Sequence, residues 1–144
     1  MNITAFRPLA IRGFTLIELL VVMAILAMLA GLVGPRVMSA LGESKGKTAK
    51  VQLEELSAAL DIYRLDTGNY PTSDQGLIAL VERVDGVDNW NGPYLKKPRI
   101  PKDPWGADYV YRFPGEQNEY DLFSLGSDRA EGGEGEAKDI HVWE

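Results

Sequence analysis

Residues 14–34 read FTLIELLVVMAILAMLAGLVG, 21 positions in which Glu18 is the only charge. Wound as a helix, this run is roughly 31 Å long, enough to cross a hydrocarbon core of about 30 Å. Further along, the pattern turns from continuous to periodic. Ala49, Leu53, Leu56, Leu60 and Tyr63 recur at helical spacing, with Lys45, Lys47, Lys50, Glu54, Glu55, Asp61 and Arg64 between them, which predicts one apolar stripe on an otherwise polar helix. Gly34 and Pro35 separate the two patterns, and proline removes a backbone donor and crowds the preceding turn. Either the helix ends there, at a membrane surface, or it kinks and continues. The resumed periodicity favours a kink at Gly34–Pro35, within one helix of roughly 53 residues, residues 14–66. Thr67-Gly68-Asn69 followed by Pro71 supplies the stop.

The remaining pattern is short and interrupted. Thr72-Ser73-Asp74-Gln75 has the spacing of a capping box and predicts a short helix over residues 76–81. Residues 85–104 are rich in turn formers, and Pro101-Lys102-Asp103-Pro104-Trp105-Gly106 fits neither a helix nor a central strand. Residues 109–113 and 119–125 have strand composition and flank Pro114-Gly115-Glu116-Gln117-Asn118, which predicts an antiparallel hairpin. Two or three strands against the second half of the long helix make the fold class α+β. Trp90, Tyr94, Trp105, Tyr109, Tyr111 and Phe113 are read as core of a small head rather than as a carbohydrate or nucleic-acid surface, because so small a core needs large side chains.

Charge sharpens this picture. The chain of 144 residues has 15 basic and 21 acidic side chains, a net charge of −6, which argues against nucleic acid as a partner. It has no cysteine and one histidine, His141, which excludes disulfides, thiol chemistry and a multi-histidine metal centre. No catalytic constellation is visible, so a non-enzyme is expected. Arg7 and Arg12 precede the apolar run with no acid beside them, so the N-terminus stays cytoplasmic and the remainder crosses. Glu18 is costly inside a spanning helix. It either snorkels to the interface or pairs with a cation. Gly13 suits a peptidase acting on the cytoplasmic side, and a cut there would leave a new amine on Phe14. That amine could meet Glu18 of a staggered neighbouring copy. At the other end, residues 100–144 hold eleven acidic and four basic residues. The glycine-rich loop 125–140 (LGSDRAEGGEGEAKDI) is either a solvated acidic loop or an oxygen-rich cation site, without EF-hand spacing.

Arg12-Gly13-Phe14-Thr15-Leu16-Ile17-Glu18-Leu19 resembles the class III leader of type IV pilin-like proteins. The resemblance implies cleavage after Gly13 by a prepilin peptidase, N-methylation of Phe14 and a role for Glu18 in filament assembly. Tyr63-x-Leu65-Asp66-x-Gly68-x-Tyr70-Pro71-Thr72, Gln75-Gly76-Leu77, Asp103-Pro104-Trp105-Gly106, Ser124-Leu125-Gly126-Ser127-Asp128 and Gly132-Gly133-Glu134-Gly135 resemble the major pseudopilins of type II secretion systems. This implies a cleaved leader (residues 1–13), a transmembrane and assembly half-helix (14–34), a second half-helix (35–66) and a periplasmic head (67–144). It also implies a homo-oligomeric periplasmic pseudopilus, anchored in the inner membrane before assembly, with minor pseudopilins and an inner-membrane assembly platform as partners. Ca²⁺ in the acidic loop is implied as well, held by Asp128, the carbonyls of Leu125 and Ser127, and Asp139, with Glu136 as the rival carboxylate. Arg129 stands where the family commonly has glycine, and Lys138 adjoins Asp139. A looser resemblance pairs Asp61 with Lys96, Lys97 or Arg99 of another subunit; a solvated Asp61 is the alternative. A type IV pilus pilin is the rival within the family, disfavoured by the missing cysteine pair. The rival from another class is a membrane-anchored periplasmic metal-binding module or enzyme.

Overall fold

The computed structural model describes residues 13–144; residues 1–12 of the expected leader lie outside the described residues. Helix α1 runs over Leu16–Thr67 and includes Pro35, so the proline does not end it. Two compact units divide the chain, one ending at Met38 and one covering Ser39–Glu144. Within the first, every large apolar side chain from Leu16 to Val33 is at least 44% exposed. None of the described residues covers them.

In the second unit the predicted stripe is the core. Ala49, Leu53, Leu56, Leu60 and Tyr63 are all buried, against Tyr70, Leu77, Leu80, Tyr109, Tyr120 and Leu122. Burying each large side chain contributes about 1.5–3 kcal/mol. The helix stops as expected. Gly68 adopts φ 90 and its N–H donates to Arg64 O at 2.8 Å, while the Thr67 hydroxyl donates to Tyr63 O at 2.8 Å.

The capping box forms: Thr72 N–H donates to Gln75 Oε1 at 2.9 Å and Gln75 N–H to Thr72 Oγ1 at 3.2 Å. It opens only a turn, then a 3-10 helix over Leu77–Leu80, because Gly76 at φ 59 leaves the helical path between them. The hairpin is also present, shorter than its composition predicted: β1 is Val110–Arg112 and β2 is Asp121–Ser124, antiparallel with Val110 opposite Phe123. A third strand, β3 (Ile140–His141), pairs with the far side of β2 with Ser124 opposite Ile140, giving the order β1-β2-β3. The C-terminal segment crosses α1 where the helix is small. Gly42 lies under the Glu136 side chain, and a Cβ on Gly46 would touch Ile140.

The aromatic residues pack as expected, with Trp105 set apart from the core cluster that takes Trp90, Tyr94, Tyr109, Tyr111 and Phe113. Apart from Trp105, whose buried Nε1–H has no hydrogen-bond partner among the described residues, their polar tips find acceptors. The Tyr109 hydroxyl donates to Gln52 Oε1 at 2.6 Å, that of Tyr111 to Pro71 O at 2.8 Å, and Trp90 Nε1–H to Ala79 O at 2.8 Å. Burial pushes the pKa values of Tyr109 and Tyr111 well above the usual tyrosine value, and chiefly burial pushes that of Tyr70 up to about 12. In the unfolded chain these phenols ionise near pH 10. A folded pKa raised above the unfolded one gives stability that is full below about pH 10 and drains away as pH climbs through the folded values. The urea midpoint of the full chain in detergent should therefore be level from pH 7 to about 9 and fall above about 10. Tyr111→Phe should flatten that fall, and a wild-type midpoint unchanged at pH 12 would contradict the assignment.

Candidate assembly surfaces and cation loop

Gly13 and Phe14 are exposed, and α1 begins just beyond them. Thr15 and Glu18 form a reciprocal cap. Thr15 N–H and Oγ1–H each donate to Glu18 Oε2 at 2.8 Å, and Glu18 N–H donates to Thr15 Oγ1 at 3.3 Å. The threonine-x-x-glutamate spacing that signals such a box is plain in the sequence, yet charge drew attention to Glu18 alone. The cap satisfies backbone donors at the helix start and holds the carboxylate at the end of the apolar run.

Asp61 and Arg99 do not meet within the chain. The Tyr70 hydroxyl donates to Asp61 Oδ1 at 2.9 Å and approaches Glu119 Oε2 at 3.2 Å. Arg64 Nη1 donates to both Glu119 oxygens at 3.0 Å and to the Tyr70 hydroxyl at 3.2 Å, with its guanidinium 4.9 Å from the Tyr70 ring centre. Asp61 is thus exposed but oriented. Arg99 instead borders a groove of about 950 Å³ with Lys96 and Lys97, over a floor that includes Leu56, Ala59 and Ile62. At 3.6 residues per turn, Asp61 lies about 140° round α1 from that groove. Lys102 pairs with Asp108 at 2.6 Å, whereas Lys96, Lys97 and Arg99 make no ion pair among the described residues.

The acidic loop is cinched at its ends. Ser127 N–H donates to Glu136 O at 2.9 Å, and Asp139 N–H to Gly132 O at 3.3 Å. Gly126, at φ 67, lies so close to the returning chain that a Cβ would sit 2.8 Å from Glu136 O and 2.9 Å from Lys138 O. Arg129 adopts φ 59, the left-handed backbone its position suggested, with a side chain that makes this costlier than glycine. The carboxylates then separate by role. Glu131 pairs with Arg112, and the Glu136 side chain lies on Gly42. Asp128 Oδ1 accepts Ala130 N–H at 3.1 Å. Asp139 Oδ2 accepts Gly132 N–H at 2.8 Å, but its Oδ1 is buried with no hydrogen-bond partner among the described residues. Lys138 turns its ammonium to Glu144 Oε2 at 3.2 Å. Among the described residues no three carboxylate or imidazole groups converge, so a cation here would draw on carbonyl oxygens and water as well as carboxylate.

Residues 36–143 match the family model described as Type II secretion system (T2SS), protein G, and residues 9–34 match the prokaryotic N-terminal methylation motif. The type II secretion system core protein G of Pseudomonas aeruginosa is 48% identical over 136 residues, 92% of this chain and 94% of that protein. Its counterpart in Vibrio cholerae is 45% identical, covering 91% and 90%. Among solved structures, the major pseudopilin from the type 2 secretion system of enterohaemorrhagic Escherichia coli is similar with a TM-score of 0.62 and 37% identity, over 76% of this chain and 95% of that one. With a head built on the second half of α1 and a methylation motif at the start of its apolar half, this chain belongs to the type II secretion system protein G family, the major pseudopilins.

Proposed function

We propose that the chain is a structural subunit rather than an enzyme. It is held in the inner membrane by residues 14–34 with its head in the periplasm, and it polymerises into a pseudopilus whose growth moves folded proteins across the outer membrane. The observation that carries this reading is the uncovered apolar stretch of α1 with the Glu18 carboxylate near its start. Prepilin peptidase, minor pseudopilins and the inner-membrane assembly platform are the partners it requires. Asp61 and the Lys96–Lys97–Arg99 groove lie on different faces, so each copy offers an acid to one neighbour and cations to another. A pairing of that kind is head-to-tail and extends as a filament unless it closes on itself.

Mass measurement of mature protein from cells with the peptidase should show loss of residues 1–13 and one methyl group on Phe14; an intact Met1 would remove the leader assignment. Glu18→Gln separates charge from capping, because the amide oxygen still accepts from Thr15 while the anion is gone. This variant should insert and be cleaved, but yield at least tenfold fewer fibres. Normal fibre yield would eliminate pairing between Glu18 and the amine of a neighbouring Phe14.

For the acidic loop we infer a Ca²⁺ site. A buried carboxylate oxygen without a donor is unfavourable, and the orphaned Asp139 Oδ1 supports a cation as its missing partner. Asp139 and Asp128, with the carbonyls of Leu125 and Ser127, would hold the ion. Glu136 is the weaker choice, given its position on Gly42. The ion would supply charge neutralisation and loop order, not chemistry. Calcium at about a hundred times its dissociation constant should stabilise the protein by about 2.7 kcal/mol, read as a higher melting temperature. Asp139→Ala and Asp128→Ala should each remove most of that gain, and an undiminished gain in both would exclude the site.

A further inference from the structure

Asp103 is a carboxylate that neither the assembly surfaces nor the cation ligands use. It is only 4% exposed and makes no ion pair among the described residues. A buried anion without a counter-ion persists only where several donors converge on it. Its two oxygens divide that work. Oδ1 accepts the N–H groups of Trp105 at 3.1 Å and Ala107 at 2.7 Å. The same turn is closed by Asp103 N–H to Ala107 O and Gly106 N–H to Asp103 O, both at 2.9 Å. Oδ2 faces away from the turn and accepts the Ser124 hydroxyl at 2.7 Å, a contact between two buried groups 21 positions apart.

Ser124 ends β2 and is fully buried. Its hydroxyl has one proton, and the carboxylate takes it, so an oxygen lone pair is left for a donor. That donor is Gly126 N–H, at 3.2 Å. The order carboxylate, hydroxyl, amide therefore has a fixed polarity. It ends at the residue between Leu125 and Ser127, where the loop returns so closely that a Cβ on Gly126 would meet the carbonyls of Glu136 and Lys138.

We propose that Asp103 is a positioning residue for the acidic loop: through Ser124 it holds the Gly126 amide and fixes the peptide units that present the Leu125 and Ser127 carbonyls. The proposal rests on the cation reading of the loop given above. Partners that orient ligands in this way change metal affinity about 10- to 100-fold when removed.

The test uses the full chain in detergent. Asp103→Asn keeps the shape but removes the charge and the fixed polarity. Ser124→Ala removes the relay, Ser124→Thr restores a hydroxyl, and Leu56→Ala is a core control. In calcium-free buffer, Asp103→Asn and Ser124→Ala should speed hydrogen exchange at Gly126 and Ser127 at least tenfold, with the Leu56 and Leu60 amides unchanged. Ser124→Thr should retain protection. In titrations with Ca²⁺ alone, the first two variants should raise the dissociation constant about tenfold or more, while Leu56→Ala leaves it in place. Exchange that accelerates equally at Gly126 and Leu60 would reduce Asp103 to a general stabiliser and overturn the proposal. So would unchanged calcium affinity in both relay variants. If the wild type binds no calcium, the cation reading itself fails, and positioning of a cation loop falls with it whatever the exchange pattern.

Discussion

The constraint on which everything else depends is that the first half of α1 has nothing to bury against among the described residues. From Leu16 to Val33 the large side chains all remain exposed. At about 1.5–3 kcal/mol for each, leaving them in water would cost more than the about 5–15 kcal/mol that holds a typical domain together. Such a segment needs an apolar partner outside the described residues; under the proposed function that partner is lipid before assembly and copies of itself after it. Moving from one to the other gains little hydrophobic free energy, because lipid tails are as apolar as leucine. In the proposed fibre, what favours assembly over a dispersed membrane protein would then come from packing and from polar groups such as Glu18 in the apolar half and Asp61, Lys96, Lys97 and Arg99 in the head.

The head solves a different problem with the same helix. Its second half is a one-sided stripe, and the covering segment contains only short strands and two 3-10 turns. Tyrosine and tryptophan give such a cover enough apolar area, and each carries a polar tip that must find a partner. Tyr109 finds Gln52 and Tyr120 meets Ser57 on α1. The aromatic content therefore reflects the size of the core, and the hydroxyls fix how the cover sits on the helix.

Long-range order in the sequence was legible where it repeats and illegible where it depends on approach in space. The spacing of Ala49, Leu53, Leu56, Leu60 and Tyr63 gave the buried face directly, and the hairpin followed from its turn. Strand β3 did not, since two residues after a glycine-rich loop carry no periodicity. The 3-10 helix at Leu77–Leu80 fell short of the predicted helix because one glycine, Gly76, turned the backbone at φ 59. In the acidic loop, composition supplied the acids but not their division of labour. Only the fold shows Glu131 drawn to Arg112, Glu136 laid on Gly42, Lys138 drawn to Glu144 and Asp139 left with an unpartnered oxygen. Nothing local marks Asp103 as more than part of a turn-rich motif, because its second partner lies 21 positions away.

The Thr15–Glu18 cap bears on how a subunit can wait in the membrane and still assemble. An uncompensated carboxylate in a spanning helix costs about 2.5–3.5 kcal/mol. Two donations from Thr15 at 2.8 Å offset part of that within the monomer. A neighbour's amine would add a charge-assisted partner, stronger than either neutral donor. A carboxylate oxygen has more than one acceptor site, so the amine need not displace the threonine. The cap holds Glu18 at the helix start before any neighbour arrives, which lowers the ordering cost of the pairing. Under the proposed pairing, capping and assembly would be successive uses of one side chain.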